Sequence, residues 1–230
     1  MFKKDNKSKY TKGTTLLELV VVISIFVIIS GVTIFNYGQF NSSMSTQNLV
    51  DDIALTVRRA QSYAIGVRGV NDVFTNGYGI HFSLRSYVSG QEYKSSTKSF
   101  VLFADLETTP NHQYNYSSYN GCGSPTINDE CMEILNILSS DSISSVKMYG
   151  TNNTAIAELN GDKSLDIVFY RPNPEPKFCY RPYDSYCDSS SESIVYVKIE
   201  VTNVAKDGTL ITRTIRISNS GQISVSETND

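Results

Sequence analysis

Four cysteines form the first pattern that could do covalent chemistry. They fall in two close pairs, Cys122 with Cys131 and Cys179 with Cys187, in or beside polar segments. Thiols at this spacing can oxidise to local disulfides, each closing a loop of about ten residues and contributing about 2–3 kcal/mol. Free thiols and a zinc site are the alternatives, but the two histidines complete no metal-ligand spacing. We expect two local disulfides, although four cysteines allow three pairings.

The sequence contains no complete motif for a catalytic nucleophile or a metal site. Residues 95–98 (SSTK) match the S-x-x-K motif of penicillin-binding enzymes, but the partner motifs S-D-N and K-T-G do not occur. The chain also has no G-x-S-x-G, Walker loop, H-E-x-x-H or EF-hand pattern. Two acidic turns, at 105–107 and 158–162, supply too few oxygen ligands to predict a calcium site. We expect a protein without catalytic activity, metal or cofactor.

A carboxylate beside an apolar segment is the next feature. Glu18 precedes residues 19–35 (LVVVISIFVIISGVTIF), which contain no charged side chain. About 20 helical residues cross a bilayer, and a charge at the centre of such a helix costs about 3 kcal/mol. A cleaved secretory signal is an alternative, but its apolar run is usually about 7–15 residues and a small-residue cleavage site should follow. Glu18 is better explained by a cationic partner.

The charge of the chain is divided unevenly along its length. The 230 residues carry a net charge of −3, but residues 1–13 hold five lysines against Asp5 alone, a charge of +4, so the remainder carries −7. Lysines before an apolar segment predict a cytoplasmic N-terminus and an exported body.

Residues 13–19 carry a family resemblance. The run is Gly13-Thr14-Thr15-Leu16-Leu17-Glu18-Leu19, behind a lysine-rich leader. It resembles the prepilin motif of type IV pilins and type II secretion pseudopilins, with Thr14 where those proteins usually have phenylalanine. The resemblance implies that a prepilin peptidase cleaves after Gly13 and that the new amine of Thr14 is methylated. It also implies that Glu18 pairs with the N-terminal amine of a neighbouring subunit, which relieves the desolvation of both charges.

The resemblance also implies partners and a location. The partners are the prepilin peptidase, other pilins or pseudopilins, the filament assembly platform and, through residues 16–35, membrane lipid. The chain would cross the cytoplasmic (inner) membrane once, with its N-terminus in the cytoplasm. Its exported body would then join a periplasmic or cell-surface filament.

The element that must position Glu18 is a long helix. Apolar residues continue at helical spacing after residue 35, no proline occurs before Pro110, and Gly66 and Gly69 mark an end. This pattern predicts one helix of about fifty residues, about 75–80 Å long, with an apolar first half and an amphipathic second half. The predicted organisation is a leader peptide (1–13), a membrane and assembly helix (14–65) and a globular domain (66–230).

The globular domain is rich in strand signals. Its runs of aromatic, β-branched or alternating residues are 77–82, 99–104, 165–170, 194–201, 210–217 and 222–225. Asp207-Gly208 is a hairpin turn signal. Alternation places Tyr196 and Lys198 on the face opposite the apolar residues of 194–201, and it places Arg216 outward on 210–217. Residues 131–138 fit a helix or a strand. The predicted fold class is α+β, a long N-terminal helix packed on an antiparallel β-rich, pilin-like domain.

Parts of the globular domain resemble one branch of the family. Residues 49–64, 77–80 and 100–105 are similar to the GspH/FimT-type minor pseudopilins, whose fold is a long N-terminal helix against antiparallel sheets. The remaining segments include long polar loops, which we expect to form a variable exposed face. These loops are residues 85–98, 108–129 and 171–193.

DNA binding is an alternative, because some FimT-like minor pilins resemble DNA-uptake receptors. The candidate contacts are Arg213 and Arg216. Two arginines in a body of charge −7 do not make the basic stripe that phosphate binding needs, so nucleic acid is disfavoured as a partner. The sequence favours a structural minor pseudopilin or pilin subunit of a type II secretion pseudopilus or a type IV pilus-like filament. A DNA-binding minor pilin for uptake and a single-pass, membrane-anchored exported domain stay open as alternatives.

Overall fold

The computed structural model describes residues 13, 15–66, 68–70, 77–84, 95–106, 111–115, 122–123, 125–126, 129–161, 163–173, 175–182 and 186–227, with the backbone alone at 35, 36 and 190. Within these residues the chain forms one long helix, a short 3-10 helix at Ser189–Ser193 and ten strands. The elements are α1 (Leu16–Ile65), β1 (Gly77–Ser83), β2 (Ser99–Asp105), β3 (Cys131–Asn136), β4 (Ser142–Tyr149), β5 (Ala155–Glu158), β6 (Lys163–Phe169), β7 (Pro176–Pro182), β8 (Tyr196–Val204), β9 (Leu210–Ser218) and β10 (Ile223–Glu227).

Helix α1 confirms the predicted long helix. It runs for 50 residues without a break, a length of about 75 Å. Thr15 caps its first turn, and at its end the Gly66 N–H donates to the Ser62 carbonyl at 2.8 Å. A Cβ at residue 66 would lie 2.8 Å from the same carbonyl oxygen, so the helix ends where only glycine fits without a shift.

Two antiparallel sheets of five strands each form the globular domain. The first sheet has the order β3-β2-β1-β6-β7 and the second has the order β10-β9-β8-β4-β5. The predicted hairpin joins β8 to β9, with Tyr196 opposite Ser218 and Val204 opposite Leu210. Gly208 has a φ of 85° in its turn, a conformation that favours glycine. The α+β fold predicted from the sequence is therefore confirmed.

The second half of α1 packs on both sheets. Its buried face consists of Val50, Ile53, Val57, Ala60 and Ala64, all fully buried. This face contacts β1 and β6 in the first sheet and β8, β9 and β10 in the second. Each buried apolar side chain contributes about 25 cal/mol per Å² removed from water. The helix and both sheets therefore share one hydrophobic core.

Two neighbouring strands of the first sheet, β1 and β2, are buried on both faces. Every residue of β1 and β2 is buried, because a second apolar cluster around Phe103 and Tyr114 covers the face away from α1. Strands covered on both faces have continuous apolar runs, and this explains the unbroken pattern at residues 100–104. The expectation of an exposed loop over 108–129 is wrong at Tyr114, which is 2% exposed.

Three further segments refine the prediction. The prediction of a loop at 171–193 is wrong for the middle of this segment. These residues form the edge strand β7, which begins at Pro176 and ends at Pro182. Of the ambiguous residues 131–138, Cys131–Asn136 form strand β3. Strand β4 was not predicted, because a register shift between Ile143 and Ser145 breaks its two-residue alternation. Most of the loop predicted at 85–98 lies outside the described residues.

A buried carboxylate ties α1 to the connection between β3 and β4. Asp141 is fully buried and accepts hydrogen bonds from the hydroxyl groups of Ser45 at 2.5 Å, Thr46 at 2.6 Å and Ser139 at 2.6 Å. Burial acts to raise the pKa of Asp141, but the hydroxyl donors outweigh it and hold the pKa below its usual value. Asp141 therefore fixes the helix at the point where its exposed half meets its docked half.

Replacement of Asp141 by asparagine should lower the free energy of unfolding by about 1–3 kcal/mol at neutral pH, because three hydroxyl groups lose the ionised acceptor that they share. The pKa of Asp141 is lower in the folded chain than in the unfolded chain. The stabilisation is therefore complete above the unfolded pKa and is lost as the pH falls through the folded pKa. Urea unfolding of the full chain in detergent at pH 7 and at pH 3 measures this difference. The exposed Asp52→Asn is the control, and an effect of Asp141→Asn that is the same at both pH values contradicts the prediction.

Candidate functional site

The N-terminal half of α1 is an exposed apolar surface. Its side chains include Phe26, which is 70% exposed, and Ile28, which is 66% exposed. The most apolar stretch has a mean hydropathy of 2.7, and none of it is buried against the rest of the described chain. By length and composition α1 can cross a membrane. An apolar surface of this extent in water is strongly unfavourable, so it needs lipid or another protein around it.

Glu18 lies in the first turn of α1, at the start of this surface. It is the only charged residue between Lys12 and Asp51 in the sequence. Its carboxylate accepts a hydrogen bond from the Thr15 backbone N–H at 3.0 Å, and the Glu18 N–H donates to the Thr15 hydroxyl at 3.3 Å. This reciprocal pair is a capping box, and it places a negative charge at the positive end of the helix dipole.

Thr15 and Glu18 match the S/T-x-x-E signature of a helix start, a signal that the sequence analysis missed. Capping is a role for Glu18 within its own chain, whereas the pairing implied by the resemblance needs a neighbouring subunit. Gly13 is exposed, and a Cβ placed on it would meet open space. Thr14, the predicted methylation position, and residues 1–12 lie outside the described residues.

Both predicted disulfides are present. Cys122 pairs with Cys131 at a Cα–Cα distance of 4.8 Å, and Cys179 pairs with Cys187 at 5.1 Å. The first holds residues 122–123 beside β3, where the Gly123 N–H donates to the Cys131 carbonyl at 3.2 Å. The second joins β7 to the segment before the 3-10 helix. Disulfides persist in oxidising compartments, so they indicate an exported domain.

A buried polar network beneath Tyr114 was not found from the sequence. The fully buried Asp166 on β6 contacts His81 Nδ1 at 2.6 Å and accepts a hydrogen bond from Arg181 Nε at 3.1 Å. Arg181 also donates to the Tyr114 carbonyl at 2.8 Å, and the Tyr114 N–H donates to Asp166 at 3.3 Å. Burial acts to raise the pKa of Asp166, but the charges of His81 and Arg181 lower it further than burial raises it.

This network resembles a histidine–carboxylate pair of a hydrolase, but its surroundings give it a structural role. His81, Asp166 and Arg181 are each less than 10% exposed, and the Tyr114 ring lies 4.9 Å from the His81 ring. The network therefore holds residues 111–115 on the first sheet, where the Tyr114 ring covers His81. Within the described part of the chain, no group of three His, Cys, Asp or Glu side chains could hold a metal ion.

The exposed half of α1 and its single carboxylate are thus the strongest indication of a partner. No family model, curated protein or solved structure matches the chain. A functional interpretation therefore depends on the geometry of the chain and on its sequence motifs.

The two predicted DNA contacts lie on opposite faces of β9, as residues three apart on a strand must. Arg213 faces the interior, where it forms an ion pair with Glu227 and donates to the Ser43 hydroxyl at 3.3 Å. Its side chain is only 12% exposed. Arg216 lies on the outer face, with its guanidinium carbon 3.9 Å from the centre of the Tyr196 ring. The structure does not bring the two arginines together in one site.

Proposed function

We propose that the chain is a minor pseudopilin or pilin subunit, a structural protein without catalytic activity. The observation that carries this proposal is the form of α1. One continuous helix has an exposed apolar half with a single carboxylate in its first turn, while its other half is fixed in the core of the domain. A membrane anchor alone needs no such rigid continuation. A filament subunit needs it. The half of α1 docked on the domain fixes where the domain lies relative to the apolar half, which packs in the filament core.

The same helix serves in two environments in this proposal. Residues 16–35 first lie in lipid of the cytoplasmic membrane and later pack against the corresponding helices of other pilins in the filament core. In both places the apolar side chains are shielded from water. Glu18 sets the register, because its carboxylate pairs with the N-terminal amine of a neighbouring subunit. The disulfide-bonded domain lies outside, in a periplasmic or cell-surface filament, and contacts other subunits or cargo.

The mature protein should begin at Thr14 and carry a methylated N-terminal amine. Intact-mass and N-terminal peptide mass spectrometry of protein from the native host measures both features. Replacement of Gly13 by valine should leave the leader attached, because the peptidase would meet a branched side chain at the scissile bond. Gly31→Val, at another glycine with open space around it, is the matched control and should be processed normally. An intact leader in the wild type, or a cut beyond residue 35, contradicts the proposal.

A further inference from the structure

Three cations lie side by side across the centre of the second sheet. Lys147 on β4 is opposite Lys198 on β8, and Lys198 is opposite Arg216 on β9. Neighbouring strands are about 4.8 Å apart, and like charges directly opposite each other destabilise a sheet. The buried residues of β8, such as Val197 and Ile199, point the other way, into the core, so the three cations are on the outer face. Such a row destabilises the sheet unless other groups compensate its charges.

Lys147 differs from the other two cations in its surroundings. Its Nζ lies 3.8 Å from a carboxylate oxygen of Glu158 and 3.8 Å from one of Glu200. Among the described residues, neither Lys198 nor Arg216 forms an ion pair with a carboxylate. Two adjacent positive charges are therefore open to an anion from outside.

Two tyrosine rings hold these open cations in place. The Arg216 guanidinium carbon lies 3.9 Å from the centre of the Tyr196 ring, and Lys198 Nζ lies 5.3 Å from that of Tyr149. The two rings stack with centroids 4.7 Å apart and planes 7° apart, and the Tyr196 hydroxyl donates to the Asn153 side chain. A guanidinium on an aromatic face keeps its in-plane N–H donors for a carboxylate. The cations are thus positioned before any ligand binds.

The surface fits an acidic protein segment better than a nucleic acid. Single strands bind by stacking bases on open aromatic faces. Here Tyr196 is only 3% exposed and contacts both Tyr149 and Arg216, so its ring offers no stacking platform. Glu158 and Glu200 neutralise Lys147, so only two cations stay open, which is too few for the many contacts of a phosphate backbone. Two cations one strand spacing apart match one or two carboxylates, which bind by charge-assisted hydrogen bonds.

We propose that Lys198 and Arg216 form a docking site for an acidic segment of a partner protein on the outer face of the second sheet. This site goes beyond the proposed filament function and does not depend on α1. The test is a fluorescence titration of the full chain in detergent with labelled poly-L-glutamate at about 50 mM salt, where surface charges are little screened. Lys198→Glu with Arg216→Glu should weaken this binding at least tenfold.

The matched control is Lys177→Glu with Lys206→Glu, which changes the net charge equally at two exposed lysines away from the row and should weaken binding less than twofold. Lys198→Gln with Arg216→Gln gives the same test without new negative charges, in case the first variant does not fold. Equal losses in both charge-reversal variants, or no binding by the wild type, overturn the proposal. Tighter binding of duplex DNA than of polyglutamate, lost in the Gln variant, overturns it in favour of a nucleic acid.

Discussion

A chain with Glu18→Ala should still insert in the membrane but should fail to enter filaments. In the membrane the substitution removes a charge from the edge of an apolar helix, so insertion becomes easier. In the filament core of the proposed function it removes the counter-charge of a neighbouring subunit's amine, and an unpaired buried charge costs about 3–5 kcal/mol. That cost corresponds to a loss of incorporation of about a hundredfold or more. Quantitative blotting of sheared filaments against the membrane fraction measures both pools.

The capping role of Glu18 has to be separated from the pairing role. Thr15→Ala removes the other half of the capping box and costs about 1 kcal/mol of helix stability, but leaves the carboxylate in place. This variant should enter filaments nearly as well as the wild type. Equal losses for Thr15→Ala and Glu18→Ala would show that capping explains the phenotype, and normal incorporation of Glu18→Ala would refute the pairing.

The division of charge along the chain acquires a physical meaning in this proposal. The first 13 residues carry +4 and serve to orient insertion, whereas the remaining chain carries −7. Within that acidic remainder, Lys198 and Arg216 keep two positive charges open on the outer face of the second sheet. A domain with a net negative charge repels most acidic surfaces. An acidic partner can therefore bind only where its carboxylates reach the local cationic site.

The helix and six of the strands could be predicted because their signals are local. The apolar spacing of α1, its lack of proline and the glycine at residue 66 lie within one continuous segment. In β8 and β9 the two-residue alternation survives in the fold, with Val197, Ile199 and Ile215 in the core. The two disulfides could also be predicted, because each joins cysteines eight or nine residues apart.

The features that sequence reasoning missed depend on contacts between distant segments. The bulge in β4 exists because this strand pairs with β8, and nothing in its own sequence marks the extra residue. The contact of His81 with Asp166 spans 85 positions, and each residue alone looks like a polar interruption of an apolar strand. The cation row likewise requires the register of β4, β8 and β9, which places Lys198 opposite Lys147 on one side and opposite Arg216 on the other.

Replacement of Asp166 by asparagine should have the largest effect on the stability of the domain. The change preserves size but leaves the buried guanidinium of Arg181 without a counter-charge, a loss of about 3–5 kcal/mol. It also weakens the hydrogen bond from Tyr114 N–H that helps to hold residues 111–115 on the first sheet. Urea unfolding of the full chain in detergent gives the total loss. Hydrogen exchange should show the earliest loss of protection at 111–115.

The sign of the pH dependence gives a second test of the same network. The pKa of Asp166 is lower in the folded chain, so its stabilisation is complete above the unfolded pKa and is lost as the pH falls through the folded one. The difference between the wild type and Asp166→Asn should therefore narrow at acid pH. Glu158→Gln is the matched control, because this half-exposed carboxylate lies 3.8 Å from Lys147 and its loss should cost less than about 1 kcal/mol. A similar small loss for Asp166→Asn would mean that the network does not hold the first sheet and its covering segment together.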